Sequence, residues 1–332
     1  MVSKAVVAIS PPLSRKGAVA VAVGQPFPAL FLATDKSQKR FWEFFTANIR
    51  NAYTRKAYLK AAIRFSDWCQ ALKLELDHVQ PVHVAAYIEH LGGELAAPSV
   101  KQHLAALRML FNWLVIGQVM ETNPATPVRG PKHSVKRGKT RILSAEETRV
   151  LLDSIKLDTV IGLRDRALIA LMVYTFARVG AVNKMKVEDY FVQGRRGHVQ
   201  LHEKGGKFHR LVCHHNLEKY LDEYIAGAEL EKTPTAPLFQ SVTSRSGKKL
   251  SGVPMKQPDV YVMISRRAEA AGIKTKIGCH TFRATGITTY LKNGGRLEVA
   301  QQMANHESAR TTGLYDRRDD EVSLDEVEKI VI

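Results

Sequence analysis

Residues 278–318 decide the fold of the chain and read GCHTFRATGITTYLKNGGRLEVAQQMANHESARTTGLYDRR. His280 and Arg283 are three residues apart, so a helix would project both side chains from one face. No proline interrupts the residues up to Leu291, and the glycine pair that follows shortly afterwards breaks a helix. The pattern therefore predicts one helix here and a second, shorter helix over 297–304.

Side chains that suit phosphate chemistry accumulate in this segment. His306 follows Arg283 after 22 intervening residues, and Tyr315 follows His306 after another eight. A guanidinium pairs with phosphate through two hydrogen bonds, an imidazole exchanges a proton near neutral pH, and a phenol can act as a nucleophile. The combination indicates a reaction at a phosphate ester.

The side chains and their spacing resemble the second half of the tyrosine recombinase (phage integrase) signature, which is His-x-x-Arg, a later His and a Tyr nine residues beyond it. The resemblance covers roughly residues 36–331. Asn305 before His306 departs from the usual Gly, and Ala284 after Arg283 departs from a frequent His. The family implies a mainly α protein with a small β-sheet, in which a helical core-binding domain precedes an α+β tyrosine recombinase catalytic domain.

The family signature also needs an arginine upstream. Residues 162–177 predict a buried helix, and Arg178 follows it directly. The resemblance identifies Arg178 with the first phosphate-binding arginine, in a pattern that reads Gly-[Leu/Met]-Arg-[Ile/Val]-Ser-Glu. Ala181 stands where that pattern has its acid, which in the family orients other groups and does no chemistry. The competing interpretation of Arg178 is an arginine at a helix C-terminus that interacts with the helix dipole.

A β-hairpin is predicted to carry the remaining lysine. Strands over 199–201 and 211–212 are joined across a Gly-Gly pair, which is typical of a tight turn. In the family a lysine on this hairpin reaches the scissile phosphate, in a motif similar to Gly-Lys-Gly-x-Lys-x-Arg. The alignment selects Lys204, with Lys207 as the alternative, and Glu203 replaces the leading Gly.

The composition favours a polyanionic partner. The chain of 332 residues has 49 Lys and Arg against 32 Asp and Glu, a formal net charge of +17, and such a surplus is typical of nucleic-acid-binding proteins. Cys69, Cys213 and Cys279 are scattered, which favours reduced intracellular thiols over a disulfide framework. The histidines lack the spacing of a helical metal motif, and no nucleotide-binding Gly-rich loop occurs, so neither a metal nor a cofactor is expected.

Composition, periodicity and the resemblance together divide the chain into four segments. Residues 1–35 are predicted to be a mobile N-terminal tail, and residues 36–125 a bundle of about four helices. Residues 126–142 form a basic linker, and residues 143–332 form the catalytic domain with a C-terminal tail helix. Ser99 is a candidate N-cap within the bundle. Ser144 and Glu147 form the capping box that opens the catalytic domain. The tail helix either packs on its own domain or, as in many family members, docks into a neighbouring subunit.

Seven basic side chains are predicted to contact DNA. Two belong to the helical bundle and five to the linker, namely Lys101, Arg108, Lys132, Lys136, Arg137, Lys139 and Arg141. Residues 129–141 hold six Lys and Arg and no acid, and neutralising phosphates with such a segment releases counterions. For any single residue of the bundle, a solvated surface position is the competing interpretation.

The resemblance implies site-specific DNA recombination. A tyrosine attacks the phosphodiester and forms a 3′-phosphotyrosyl bond, two arginines carry the phosphate charge, two histidines position a proton and bind the phosphate, and a lysine protonates the leaving oxygen. In this sequence these groups are Tyr315, Arg178, Arg283, His280, His306 and Lys204. The covalent bond conserves the energy of the cut, so resealing needs no ATP, and the two guanidiniums could do the task for which metal nucleases use divalent ions.

The expected partners follow from the same resemblance. They are double-stranded DNA carrying specific recombination sites, three further copies of the chain in a homo-tetramer, and an accessory directionality factor, with no membrane. The expected location is the bacterial cytoplasm, associated with the nucleoid, and the expected role is integration or excision of a mobile element. Two alternatives remain, a type IB topoisomerase-like enzyme that relaxes one duplex and a catalytically inactive DNA-binding regulator.

Overall fold

The computed structural model describes residues 28–135, 138–203, 208–243 and 249–316, together with Glu328 and Ile330. The chain divides into two compact units, Met1–Ser134 and Val135–Ile332. This division falls inside the segment that the sequence predicts to be a linker. Within the described ranges, no helix is both long enough and apolar enough to cross a membrane.

The described part of unit 1 is a bundle of four α-helices, as the periodicity predicts. The helices are α1 (Asp35–Glu43), α2 (Ala52–Ala71), α3 (Pro81–Glu94) and α4 (Ala97–Ile116). A 3-10 turn over Ala29–Leu32 precedes α1, and a π-helical turn over Phe44–Asn48 follows it. Local sequence starts the longer helices. The Asn51 side chain accepts hydrogen bonds from the first amides of α2, and Pro81 occupies a first turn, where its missing N–H leaves no bond unmade.

The helix α4 begins before the N-cap that the sequence predicts. Its N-cap residue is Ala96, and Ser99 lies inside the first turn. Pro98 explains the difference, because proline is tolerated in the first turn of a helix and does not have to precede it. The prediction for Ser99 is therefore wrong by three residues.

Unit 1 also begins earlier than the sequence predicts. The sequence predicts a mobile tail up to residue 35, but Phe31 is fully buried and stacks on Phe41, with ring centroids 5.3 Å apart. The Leu30 N–H donates to the hydroxyl of Ser66, 36 positions away in the sequence. Contacts at that separation leave no local periodic pattern, which is why the prediction missed them. Residues 1–27, the rest of the predicted tail, lie outside the described residues.

Unit 2 combines helices with two small antiparallel sheets. Its helices in the described ranges are α5 (Ala145–Asp153), α6 (Val160–Tyr174), α7 (Val179–Val182), α8 (His215–Gly227), α9 (Gln257–Ala270), α10 (Cys279–Lys292), α11 (Leu297–Met303) and α12 (Ala309–Gly313). Its strands are β1 (Tyr190–Gln193), β2 (Arg196–His202), β3 (Phe208–Val212), β4 (Gln240–Val242) and β5 (Leu250–Pro254). The capping box of Ser144 and Glu147 opens α5 as predicted.

The β2–β3 hairpin is the one that the sequence predicts. The two strands pair antiparallel, and His202 lies opposite Phe208 at the loop end. The strand β1 extends this sheet on the other side of β2, while β4 and β5 form a separate pair. The sequence does not predict these three strands, because segments of three to five residues are too short for a clear alternation.

The helix α10 forms the centre of unit 2. Its residues from Thr281 to Thr288 are all buried. Gly286 lies where α10 passes α6, and a Cβ at this position would come 2.2 Å from the carbonyl oxygen of Val173. No side chain fits in that space, so the backbones of the two helices are in direct contact. This contact fixes the end of α6 beside the first turns of α10.

A buried ion-pair group joins α6 to α9. Asp165 is fully buried, and its carboxylate accepts hydrogen bonds from Arg164 and Arg267 at 2.6–3.0 Å. Arg266 adds a longer contact at 3.6 Å. Arg164 is itself buried and also donates to the carbonyl of Gln240, at the start of β4. One carboxylate therefore contacts three guanidinium groups.

We expect the substitution Asp165→Asn to lower the free energy of unfolding by about 3–5 kcal/mol, because it leaves buried guanidinium charge without a counter-ion. Urea denaturation followed by circular dichroism measures the change. The control is Glu188→Gln, which removes an exposed carboxylate paired with Lys186 and should change the value by about 0.5 kcal/mol or less. Equal stability of the two variants would contradict the role given to Asp165.

Candidate active site

Five of the six residues expected to act on a phosphate lie in the described part of unit 2, and the fold brings them together. They come from the residue before α7, from α10, from the turn after α11 and from the residues after α12, namely Arg178, His280, Arg283, His306 and Tyr315. The sixth, Lys204, lies outside the described residues, as does its alternative Lys207.

Arg283 is the most deeply buried member of the group, with 1% of its surface exposed. Its two terminal nitrogens donate to the carbonyl oxygens of Phe176 and Ala304. These carbonyls belong to the segment after α6 and to the end of α11, so one guanidinium holds three parts of the chain. The Nε–H of Arg283 has no hydrogen-bond partner among the described residues. A buried donor without a partner is costly, which makes this nitrogen a candidate contact for an anion.

Phe176 gives the segment before Arg178 its shape. Its φ angle is 56°, in the left-handed region that disfavours a bulky side chain. The helix α6 ends at Tyr174, and the turn at Phe176 reverses the chain so that Arg178 becomes the N-cap residue of α7. The interpretation of Arg178 as an arginine at a helix C-terminus is therefore wrong, since this residue caps the start of a helix.

Arg178 is paired with an acid that the sequence did not single out as a functional residue. Its NH1 lies 3.0 Å from the Oε2 of Glu203, at the end of β2. The Arg178 side chain is 42% exposed, whereas that of Glu203 is 5% exposed. The Arg178 guanidinium is thus held by a buried carboxylate, while part of the Arg178 side chain stays exposed to solvent.

His306 is held by the helix that follows it. Its Nδ1 lies 2.9 Å from the hydroxyl of Thr312, which is fully buried in α12. Its ring stacks on the ring of Tyr315, with centroids 5.8 Å apart and planes 7° from parallel. Asn305 has a φ angle of 47°, and asparagine tolerates this left-handed conformation better than most residues. Asparagine can therefore take the place of the glycine that the resemblance leads one to expect.

Tyr315 is buried, with 7% of its surface exposed, and its hydroxyl lies 3.3 Å from the Nε2 of His280. Tyr315 is also a neighbour of Arg283, and its interaction with the guanidinium raises the pKa of Arg283. Two backbone contacts hold the segment. The Thr288 hydroxyl donates to the Tyr315 carbonyl, and the Gly138 N–H donates to the Leu314 carbonyl at 2.8 Å. The phenol oxygen therefore lies between an imidazole and a guanidinium.

The positive charges lower the pKa values of their neighbours. Burial, with the charges of Arg283, Arg178 and His280, lowers the pKa of His306 to about 4. Partial desolvation and the same two arginines lower the pKa of His280, although that residue as a whole is exposed. Burial and the charge of Arg178 lower the pKa of Arg283 to about 10, so it stays protonated at neutral pH. At pH 7 both imidazoles are therefore neutral and can accept a proton.

A polar cavity of about 410 Å³ opens beside His306. Its walls come from β3 and from α11 with the turn after it, and they include His209, Arg210, Glu298, Gln301 and Asn305. His209 ties the two walls together, since its Nε2 lies 3.0 Å from the carbonyl of Met303. His306 thus borders a polar space that suits a hydrated or charged ligand.

We expect the His306 imidazole of the DNA-free protein to titrate near pH 4, because burial and two arginines disfavour its protonated form. The unfolded chain binds this proton at about pH 6.5. Histidine protonation therefore removes folding stability as the pH falls from about 6.5 through about 4. NMR of ¹³C-labelled histidine rings measures the midpoint, and a His306→Gln variant identifies the signal. A midpoint at or above the ordinary value would contradict the burial and the arginine contacts.

Five of the seven predicted DNA contacts are described, and all five are exposed, namely Lys101, Arg108, Lys132, Lys139 and Arg141. Lys136 and Arg137 lie outside the described residues. Arg108 has a structural contact that the sequence did not predict. Its guanidinium donates to the carbonyls of Ala125 and Val128 and so fixes the chain that leaves the bundle. That DNA is bound by these seven residues stays a prediction.

Sequence reasoning missed the residues that hold the site. Glu203, Thr312 and Thr288 position the side chains or the backbone of the expected residues through single hydrogen bonds. A lone Glu or Thr has no distinguishing pattern in a sequence. The one signal is at Glu203, which replaces the leading glycine of the family's hairpin motif.

Comparisons with known proteins identify the family of the chain. The model of the phage integrase family matches residues 141–321, and that of the N-terminal SAM-like domain of phage integrases matches residues 39–120. A tyrosine recombinase of Pseudothermotoga lettingae is 26% identical over 284 residues, which make up 84% of this chain and 92% of the relative.

Solved structures show the same fold. The XerH site-specific recombinase, in a post-cleavage complex with palindromic difH substrate, superposes with a TM-score of 0.69 at 21% identity, over 92% of this chain and 90% of that one. A lambda integrase tetramer bound to a Holliday junction superposes with a TM-score of 0.63 at 18% identity, over 86% of this chain and 79% of that one. Because the family model alone matches more than half of the residues, the chain belongs to the phage integrase family of tyrosine recombinases, enzymes that break and rejoin DNA.

Proposed function

We propose that this protein recombines DNA at specific sites by forming a 3′-phosphotyrosyl bond through Tyr315. The observation that carries the proposal is the position of the Tyr315 hydroxyl, 3.3 Å from the Nε2 of His280, in a residue that also interacts with the Arg283 guanidinium. A phenol has a pKa of about 10, so its proton must leave as it attacks phosphorus. The neutral imidazole of His280 is the group placed to accept or position that proton.

The phosphate charge is assigned to two guanidinium groups. Arg178 offers an exposed edge, and Arg283 has an Nε–H without a partner among the described residues. Each can donate to a non-bridging oxygen, and these bonds strengthen as phosphorus gains negative charge in the transition state. Two fixed guanidiniums can do the work for which other nucleases use divalent cations, so we propose that cleavage needs neither a metal nor ATP.

The remaining roles fall on His306 and Lys204. His306 borders the polar cavity and is oriented by Thr312, so it can hydrogen-bond a phosphate oxygen. Lys204 is proposed to protonate the departing 5′-oxygen. After cleavage the phosphate ester to Tyr315 keeps the energy of the broken bond, and a 5′-hydroxyl of another strand can attack it and reseal the DNA.

The protein is proposed to act on two duplexes as a homo-tetramer. The lambda integrase that shares this fold was crystallised as a tetramer on a Holliday junction. In this assignment residues 36–125 and the linker over 126–142 hold the DNA through their basic side chains, while residues 143–332 carry the chemistry. Integration or excision of a mobile element in the bacterial cytoplasm, with an accessory directionality factor, completes the proposal.

The test maps where the protein becomes attached to DNA. Purified protein is incubated with the DNA that flanks its own gene, with and without EDTA. Protein–DNA adducts are captured under denaturing conditions, and the DNA ends are sequenced. The proposal expects attachment at a few defined positions, at 3′-phosphates, and at the same yield in EDTA.

Other outcomes separate the alternatives. Attachment without sequence preference, with relaxation of a single supercoiled duplex, would favour the topoisomerase-like activity. Specific binding without any adduct would favour the regulator. Adducts that vanish in EDTA would refute the assignment of the phosphate charge to Arg178 and Arg283.

A further inference from the structure

Glu203 is a buried acid at a site that is proposed to bind an anionic phosphate. Its carboxylate is negatively charged and 5% exposed, and it lies 3.0 Å from the guanidinium of Arg178. A buried carboxylate is costly unless a cation compensates it, so the fold keeps it for a reason other than simple packing. It directly follows β2 and precedes Lys204 in the sequence.

The surroundings of Glu203 are strongly positive. Arg178 and Arg283 repel each other, and each lowers the pKa of the neighbouring imidazoles. The charge of Glu203 acts on both arginines, since it pairs with Arg178 and also raises the pKa of Arg283. The negative charge of Glu203 therefore offsets part of the repulsion between the two guanidiniums before a phosphate binds.

This chain lacks an acid at one position of the family pattern and has an additional acid at another. The resemblance places an acid at position 181, in the first turns after Arg178, and this chain has Ala181 there. It also places glycine at the position that Glu203 occupies. Ala181 is buried in α7, and α7 packs against β2. An acid could therefore approach Arg178 from α7 or from the end of β2, and in this chain the residue that follows β2 provides it.

We propose that Glu203 is a positioning residue for DNA cleavage, whose carboxylate holds the Arg178 guanidinium in place for the scissile phosphate and takes over the task of the acid that is absent at position 181. This inference rests on the proposed function of the site. Because the Arg178 side chain stays 42% exposed while it pairs with the carboxylate, a phosphate can reach the guanidinium without displacing Glu203. The carboxylate thus acts on the rate of cleavage and not on DNA affinity.

Four variants test the proposal: Glu203→Gln, Glu203→Asp, Glu203→Gly and the double variant Glu203→Gly with Ala181→Glu. Single-turnover cleavage is measured on saturating nicked substrate that traps the adduct, and DNA affinity is measured separately by electrophoretic mobility shift. The control is Glu188→Gln, which removes an exposed acid outside the site and should cleave like wild type.

We expect Glu203→Gln and Glu203→Gly to cut about 100-fold more slowly at unchanged affinity, because a small displacement of a catalytic group has an effect of that size. Glu203→Asp should cut faster than Glu203→Gln, since charge matters more than length. The double variant should recover most of the rate that Glu203→Gly loses. Such rescue by an acid at another position would not occur if Glu203 only stabilised the fold.

Three results would overturn the proposal. One is cleavage by the Glu203→Gln variant at the wild-type rate. Another is faster cleavage or tighter binding by that variant, which would mean that the carboxylate competes with phosphate. The third is equal rates for the Asp and Gln variants, a comparison that remains valid even if the double variant does not fold. Failure of wild type to form any adduct would instead count against the proposed function.

Discussion

The Tyr315→Phe variant is expected to bind its recombination sites like wild type and to form no covalent adduct with DNA. The substitution removes one oxygen, the one that lies 3.3 Å from His280, and leaves the buried ring stacked on His306. Loss of a nucleophile removes the covalent route, so cleavage should fall at least about 10⁴-fold. Denaturing gels with end-labelled substrate measure the adduct, and mobility shifts measure binding.

The matched control is Tyr290→Phe. Tyr290 belongs to the same small apolar cluster as Tyr315, where its ring lies 6.2 Å from that of Phe176, and the proposed mechanism gives its hydroxyl no role. This variant should form adducts at the wild-type rate. Adducts formed by Tyr315→Phe would show that another residue is the nucleophile, and the proposed mechanism would then be wrong.

The Arg283→Lys variant is expected to lose cleavage by about 10²–10³-fold, the usual effect of removing one fixed donor to a developing negative charge. A lysine keeps the positive charge but has a single compact ammonium group. It cannot bond the carbonyls of Phe176 and Ala304 and also present a second nitrogen to a phosphate. Single-turnover cleavage at saturating DNA measures this effect.

Arg283 is also a structural residue, so its variant needs a control that loses stability alone. Arg164→Lys provides one, because Arg164 is equally buried in the same unit and bonds Asp165 and a backbone carbonyl outside the site. Both variants should unfold at lower urea concentrations than wild type. At a temperature where both are folded, Arg164→Lys should cleave normally and Arg283→Lys should not. Equal cleavage by the two variants would contradict the role of Arg283.

The features that could be predicted from the sequence are those that depend on local spacing. His280 and Arg283 share one helix, so their common face follows from three residues of separation. The Gly-Gly pair after β2 predicts the hairpin for a similar reason. The capping box of Ser144 and Glu147 involves neighbours in sequence and was also correct.

The features that could not be predicted depend on contacts between distant parts of the chain. Arg283 bonds the Phe176 carbonyl across 107 positions, and the Leu143 N–H bonds Thr285 across 142. The same holds for the pairing of Arg178 with Glu203, for which no spacing rule exists. The left-handed turn at Phe176 is hidden as well, since a bulky residue normally argues against that conformation. The long-range packing that forms the site is thus the part that periodicity does not encode.

The two backbone hydrogen bonds around Tyr315 determine how freely the nucleophile can move. Release of the segment breaks the bonds from Thr288 and Gly138, at about 1 kcal/mol each, and exposes the aromatic ring, at about 2 kcal/mol more. A total of about 4 kcal/mol corresponds to roughly one molecule in a thousand with its tyrosine detached. Nearly every DNA-free molecule therefore already holds the phenol in the position that the proposed mechanism requires, so little ordering of this segment is left for DNA binding to bring about.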